Sequence, residues 1–182
     1  IDDAAGEAFD KVAALLELGF PGGPAVERAA QQGAADAFQF PRSFLDNPAR
    51  LEFSFSGLKT AVRYAVIPPG AETPHEPLTE PRRADLAASF QAAVVDVLVG
   101  KGVHALDWAG RESLCVGGGV AANTRLREQL EDTAKQRGVR LYLAPRELCT
   151  DNAMMAALAF ERINAGSYDA LDLDVRPGLM RN

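Results

Sequence analysis

Apolar positions recur along this chain with two periods, and the change from one to the other organises it. Between residues 4 and 18, Ala5, Phe9, Val12, Ala13 and Leu16 return every three or four positions, the spacing of one buried helix face. Asp2 or Asp3 stands where a carboxylate can accept from the free N–H groups of the first turn. "GFPGGP", residues 19–24, ends that helix, because Gly and Pro at this density mark a turn. A second short helix is predicted over 24–32, and residues 33–50 read as irregular. In "LEFSFSG", 51–57, the period drops to two, with Leu51, Phe53 and Phe55 on one side and Glu52 and Ser54 on the other, which predicts a strand. A helix over 57–66 follows. "IPPGAETPHEPLTEP", 67–81, holds five prolines and reads as a surface loop and the best boundary between lobes. The longest helix is predicted over 82–108, where Leu86, Phe90, Ala93, Val94, Val97 and Leu98 form a broad stripe, with Gly100 and Gly102 expected to kink or shorten it.

Beyond that helix the two periods alternate. "ESLCVGG" predicts a strand, 123–137 a helix, "VRLYLAP" (139–145) a strand and 151–165 a helix. Strand–helix alternation is the pattern of an α/β layer with parallel strands. The expected organisation is therefore a helical and strand segment over 1–81 and an α/β lobe over 82–182.

Composition narrows the class. Apolar residues are 47% and charged residues 24% of 182, enough for a real core. No unbroken run of about 18 apolar residues appears, so neither a membrane span nor membrane association is expected; nor does a signal peptide open the chain. The two cysteines, Cys115 and Cys149, are too few for a disulfide framework and suit a reducing, cytoplasmic setting. A net charge of −6 disfavours a generally basic nucleic-acid binder but leaves room for a local patch. Lys59 and Arg63 at i, i+4, with Arg82 and Arg83 beyond the proline-rich loop, read as solvated faces that could bind a phosphate backbone if they converge. The chain opens without Met and almost directly into a helix, as though cut from something longer.

The chemistry concentrates at strand–helix junctions. Gly117, Gly118 and Gly119 lie between a strand and a helix, where a backbone without Cβ atoms admits a close ligand and the helix N-terminus favours an anion. This is neither G-x-G-x-x-G nor a Walker A loop. Asn123 either caps the following helix or offers its amide to a ligand. "PGG" at 21–23 reads by itself as a plain turn. Thr150 or Asp151 can cap the last helix, and Asp151 equally offers a carboxylate to a cation. His75 and His104 are not at i, i+4; no H-E-x-x-H or G-x-S-x-G occurs. His104 reads as a surface or satisfied core histidine. Cys115, inside an apolar strand, reads as core, and Cys149 has no histidine beside it in sequence.

Four segments in order, "DDAAGEAFDKVAALLELGFPGGPAVE", "FSFSGLKTAV", "GGGVAANTRLRE" and "CTDNAMMAAL", resemble the carboxyl-terminal half of the TsaD family, the tRNA adenosine threonylcarbamoyltransferases once called O-sialoglycoprotein endopeptidases or glycoproteases. The resemblance runs from residue 1 to about 165. It implies an α/β fold of the actin-like ATPase (RNase H-like) superfamily, a lobe with a mixed sheet flanked by helices plus a helical segment from the other lobe. It implies transfer of a threonylcarbamoyl group from an adenylate to N6 of adenosine 37 in tRNA. By motif match, Asp10, Gly23, Glu27 and Asn123 fall where the family contacts nucleotide (ATP, AMP or threonylcarbamoyl-adenylate), Asp10 and Glu27 suiting ribose hydroxyls. Gly118 and Gly119 would let the phosphate approach. Asp151 falls where the family supplies a ligand to iron or zinc, which would act as a Lewis acid. The family's two histidine ligands belong to an amino-terminal half that this sequence does not contain, so the isolated chain is expected neither to hold metal stoichiometrically nor to transfer the group. The resemblance further implies tRNA and TsaB- and TsaE-like companions as partners. Competing readings are a sugar or acid kinase of the same superfamily and a non-catalytic lobe that binds nucleotide or a partner; the peptidase label has no supporting motif.

Overall fold

A computed structural model describes residues 3–74 and 76–170. They fall into two compact units, one ending at Cys149 and one beginning at Thr150. In the first, the order is α1 (Ala5–Leu15), α2 (Gly22–Ala30), α3 (Ser56–Val66), α4 (Glu80–Ala109), β1 (Ser113–Val116), α5 (Thr124–Arg137) and β2 (Arg140–Leu143). The second holds α6 (Ala157–Asn164), entered through a 3-10 turn over Ala153–Ala156.

α4 is the axis of the first unit. Its 30 residues run unbroken through Gly100 and Gly102, so neither glycine ends it. Ala84, Leu86–Val95, Val97 and Val99 are buried, so the apolar stripe wraps almost the whole helix. α1, α2 and α3 pack on its first half, where Phe9 meets Phe90 edge to face at 5.2 Å. α5 and the strands pack on its second half through Val95, Val99, Leu126 and Leu130. Each such large apolar side chain stabilises the fold by about 1.5–3 kcal/mol when fully buried. By length and composition α4 could cross a membrane, since a helix tolerates a few polar positions that break a continuous run; 72% of its most apolar window is buried, the environment of a core helix.

The irregular stretch 33–50 is fastened along one stripe of α4. Ala34 N–H donates to Asp85 Oδ1 (2.8 Å) and Phe38 N–H to Ser89 Oγ (3.1 Å). Arg42 forks onto Asp96 Oδ2 through Nε (3.1 Å) and Nη2 (3.0 Å). Lys101, 1% exposed, donates to the carbonyls of Phe44 (2.6 Å) and Arg50. Positions 85, 89, 96 and 100 share a helix face, with Leu45 seated against Gly100, and Lys101 holds the segment from a neighbouring face, which is why a stretch without regular structure keeps one path.

β1 and β2 run parallel, joined by α5, with Ser113 opposite Arg140 and Val116 opposite Leu143. Leu114, Val116, Leu141 and Leu143 pack toward α4 and α5.

Four local expectations change. No strand forms over 51–57: among the described residues the sheet consists of β1 and β2, and Ser56 already opens α3. Only the alternation survives, with Phe53 and Phe55 stacked at 6.2 Å. Asp3 does not cap α1; it pairs with Lys11 (2.6 Å) and Lys59 (2.8 Å), and these hold its carboxyl below the usual 3.8. Asp2 lies outside the described residues, as does His75. Cys115 is exposed rather than core, because α4 and α5 cover one sheet face and Cys115 lies on the other. At the start of the second unit Asn152, not Thr150 or Asp151, supplies the cap, accepting from Met154 N–H (2.9 Å).

Candidate functional site

Two helix N-termini, those of α2 and α5, and the glycine turn are joined by carboxylates and amides. Asp10, exposed on α1, accepts at Oδ1 from the Gly22 N–H (2.9 Å), at the first turn of α2. Any Cβ at Gly22 would overlap the Asp10 backbone, so only glycine brings that N–H to the carboxylate. Gly23 is next, and nothing lies within 4 Å of where its Cβ would be. One turn along α2, half-buried Glu27 accepts at Oε1 from the Thr124 N–H (2.9 Å), the first residue of α5. Carboxylates at helix N-termini are favourable twice over, through the hydrogen bond and the helix dipole.

Asn123 completes the junction. Its Oδ1 caps α5 by accepting from Leu126 N–H (3.0 Å), and its Nδ2 donates to Gln91 Oε1 (2.8 Å) on α4. Both side chains are buried, so the amide is engaged within the protein on both sides. Two of the α5 N–H groups that a sequence reader would offer to an anion are thereby taken, by Glu27 and Asn123.

The unengaged donors lie one step earlier. β1 ends at Val116, and the chain passes Gly117–Gly119 into a 3-10 turn over Gly119–Ala122. Gly118 has φ +89° and ψ 167°, a region that side-chain-bearing residues rarely enter. Neither Gly118 nor Gly119 has a heavy atom within 4 Å of an added Cβ. Among the described residues, the N–H groups of Gly118, Gly119 and Val120 meet no acceptor, whereas those of Ala121 and Asn123 close the turn onto Gly118 O (2.9 Å) and Val120 O (3.1 Å). Successive free N–H groups at a strand's carboxyl end make an anion-binding concavity. Gly6 of α1 approaches the same turn, its absent Cβ 3.8 Å from Val120 Cγ2. Asp10, Gly23, Glu27, Asn123, Gly118 and Gly119 thus belong to one connected wall of the first unit.

Other candidates fare differently. Lys59 pairs with Asp3, Arg82 with Glu76, and Arg83 with Glu17 and Glu80, so three of the four basic residues are matched by carboxylates and form no free phosphate-binding face. His104 is half-buried in α4 with Nδ1 enclosed and unpartnered among the described residues. Cys149 is buried and receives a donor from Arg127 Nη2 at 3.3 Å. Asp151, in the second unit, is exposed. Among the described residues no three His, Cys, Asp or Glu side chains converge, so they do not by themselves fit a metal ion.

Comparison with known proteins places this wall in context. The family described as TsaD, tRNA N6-adenosine threonylcarbamoyltransferase, matches residues 1–158. A protein of that name from Rhodopirellula baltica is 50% identical over the whole chain and 53% of its own length. Others, from Rhodospirillum rubrum (50% identical; 97% of this chain, 49% of that protein) and Symbiobacterium thermophilum (49%; 98% and 50%), agree. The chain spans about half the length of these relatives. With 158 consecutive positions matched and every motif of the wall inside them, the chain belongs to the TsaD family.

Proposed function

We propose that this chain is the carboxyl-terminal part of a transferase that moves a threonylcarbamoyl group from threonylcarbamoyl-adenylate to N6 of adenosine 37 in tRNA, and that it forms one wall of the nucleotide cleft. The observation that carries this reading is the bare, donor-bearing backbone at Gly118–Val120, tied through Glu27 and Asn123 to the carboxylates of α1 and α2. An adenylate presents ribose hydroxyls that donate and a phosphate that only accepts. The wall offers the complement: oxygens of Asp10 and Glu27 not used in helix capping accept from hydroxyls, and the turn N–H groups donate to the phosphate. Gly23 leaves room beside them. Asn123, its amide already engaged, acts on this reading by fixing the turn rather than by reaching the ligand.

The chain's own contribution to the reaction is then orientation and charge. Donors already fixed at the phosphate favour its departure as AMP when the tRNA amine attacks the carbamoyl carbon. The actin-like, RNase H-like plan with a larger mixed sheet belongs to the same reading, and the β1–α5–β2 unit suits it. An iron or zinc ion would take Asp151 as one ligand; since the described residues do not make a site alone, no step is assigned to metal. tRNA and TsaB- and TsaE-like companions are the partners this reading entails.

The test is threonylcarbamoyl transfer by the R. baltica relative with its matching half replaced by these 182 residues, read as modified adenosine in digested tRNA. Modification that is lost on replacing Asp10 or Glu27 by Ala, in folded protein, is the expected result. A folded hybrid that binds neither nucleotide nor tRNA would overturn the proposal.

A further inference from the structure

Three consecutive glycines have no side chains with which to hold their own turn, and backbone freedom is greatest at glycine. Something else must keep the N–H groups of Gly118–Val120 in one arrangement. Besides Asn123 at the turn's end, the residue in place to do so is Arg127, one turn into α5. Its Nε donates to Ala121 O at 2.6 Å, within the 3-10 turn, and its Nη2 donates to Ala144 O and contacts Cys149 Sγ at 3.3 Å. Ala121 is 2% and Cys149 4% exposed, so these acceptors are enclosed. Ala144 sits at the other flank of the same turn: its N–H donates to Val116 O (3.0 Å), and its Cβ is 3.9 Å from the Cβ position of Gly117. Cys149 Sγ turns back onto Pro145 O (3.3 Å), closing the segment against the guanidinium.

We propose that Arg127 is a positioning residue of the glycine-turn site, its guanidinium bracing the turn at Ala121 against the end of β2 at Ala144 and Cys149. The proposal rests on the reading of the turn as a phosphate-binding wall. It asks for arginine specifically, because a planar fork reaches acceptors on two segments at once and an ammonium is a single point donor. No carboxylate pairs with this arginine among the described residues, so the brace also places positive charge beside the turn.

The experiment uses the hybrid enzyme with Arg127→Lys and Arg127→Gln, following KM for threonylcarbamoyl-adenylate, KM for tRNA, kcat, the melting temperature and the rate of Cys149 alkylation by peptide mass mapping. Arg127→Lys is expected to raise KM for the adenylate by roughly ten-fold or more, leave KM for tRNA within about two-fold and speed Cys149 alkylation, with Arg127→Gln worse on each count. If alkylation speeds up or melting falls while the adenylate KM stays put, Arg127 is merely structural and the proposal fails. An unchanged alkylation rate also overturns it, because the brace is then not made. A wild-type hybrid that folds but binds no adenylate removes the site reading itself, an outcome distinct from a failure of Arg127 in an active enzyme.

Discussion

The helical body around α4 and the turn after β1 both depend on glycine, for opposite reasons. At Gly22, Gly33 and Gly100 in the body, another part of the chain fills the place of the missing side chain. A Cβ at Gly33 would overlap the Ala84 carbonyl, and one at Gly100 would overlap Leu45 Cδ1. At the turn, the places of the missing side chains at Gly118 and Gly119 stay open, as at Gly23. The first kind brings protein against protein; the second keeps protein away from a surface whose N–H groups have no internal acceptor. A glycine-rich sequence is therefore evidence for a ligand only where the vacated space remains unfilled.

The largest effect that would break this contrast is at Gly33. Gly33→Val should lower unfolding stability by about 3 kcal/mol or more in urea titration, since the clash is with backbone that cannot rotate away. Gly119→Ala should stay within about 0.5 kcal/mol of the parent, and equal losses at the two positions would mean the turn is packed, not open. Asn123→Ala comes next, at about 2 kcal/mol, because it removes the cap on Leu126 and strands the buried Gln91 carbonyl. Gly118→Ala should cost roughly 1–2 kcal/mol from backbone strain with no clash, which separates conformational need from close packing. Glu27→Ala should cost about 1 kcal/mol through the lost cap on Thr124; thermal melts resolve all of these.

The smallest effect is electrostatic and lies far from the turn. Lys11 first and then Lys59 hold the Asp3 carboxyl below its usual 3.8. A carboxylate with a lowered folded-state pKa contributes stability in full above that usual value and loses it as pH falls through the lowered one. Melts of Asp3→Asn and the parent should therefore differ at neutral pH, converge as the solution is acidified below 3.8, and differ less at high salt. A difference that persists in acid would mean Asp3 acts through something other than its charge.

How much of this was written in the sequence depends on the range of the cause. The stripe Leu86–Leu98 located α4, and the alternation of "ESLCVGG" and "VRLYLAP" around a helical stretch located β1–α5–β2, because both periods report a local geometry. The alternation at Leu51, Phe53 and Phe55 misled, since period two states which way side chains point and not whether a neighbouring strand exists. Cys115 misled for a related reason: an apolar strand does not say which of its faces is covered. Nothing marked Lys101 as a buried latch or Arg127 as a brace, because their acceptors are backbone carbonyls, which every residue has. Glu27 could be matched to a motif, but not to an acceptor role toward an N–H 97 positions away.

The sequence by itself determined the helical stripes, the parallel strand pair with its crossover, and the place where three residues carry no side chain, since each follows from the steric preferences of a few adjacent residues. Only the tertiary structure decided which glycines are filled and which stay open, and which N–H groups Asp10, Glu27 and Asn123 consume. Those outcomes rest on hydrogen bonds and contacts between segments separated by up to a hundred residues, and such contacts exist only once the core around α4 has closed.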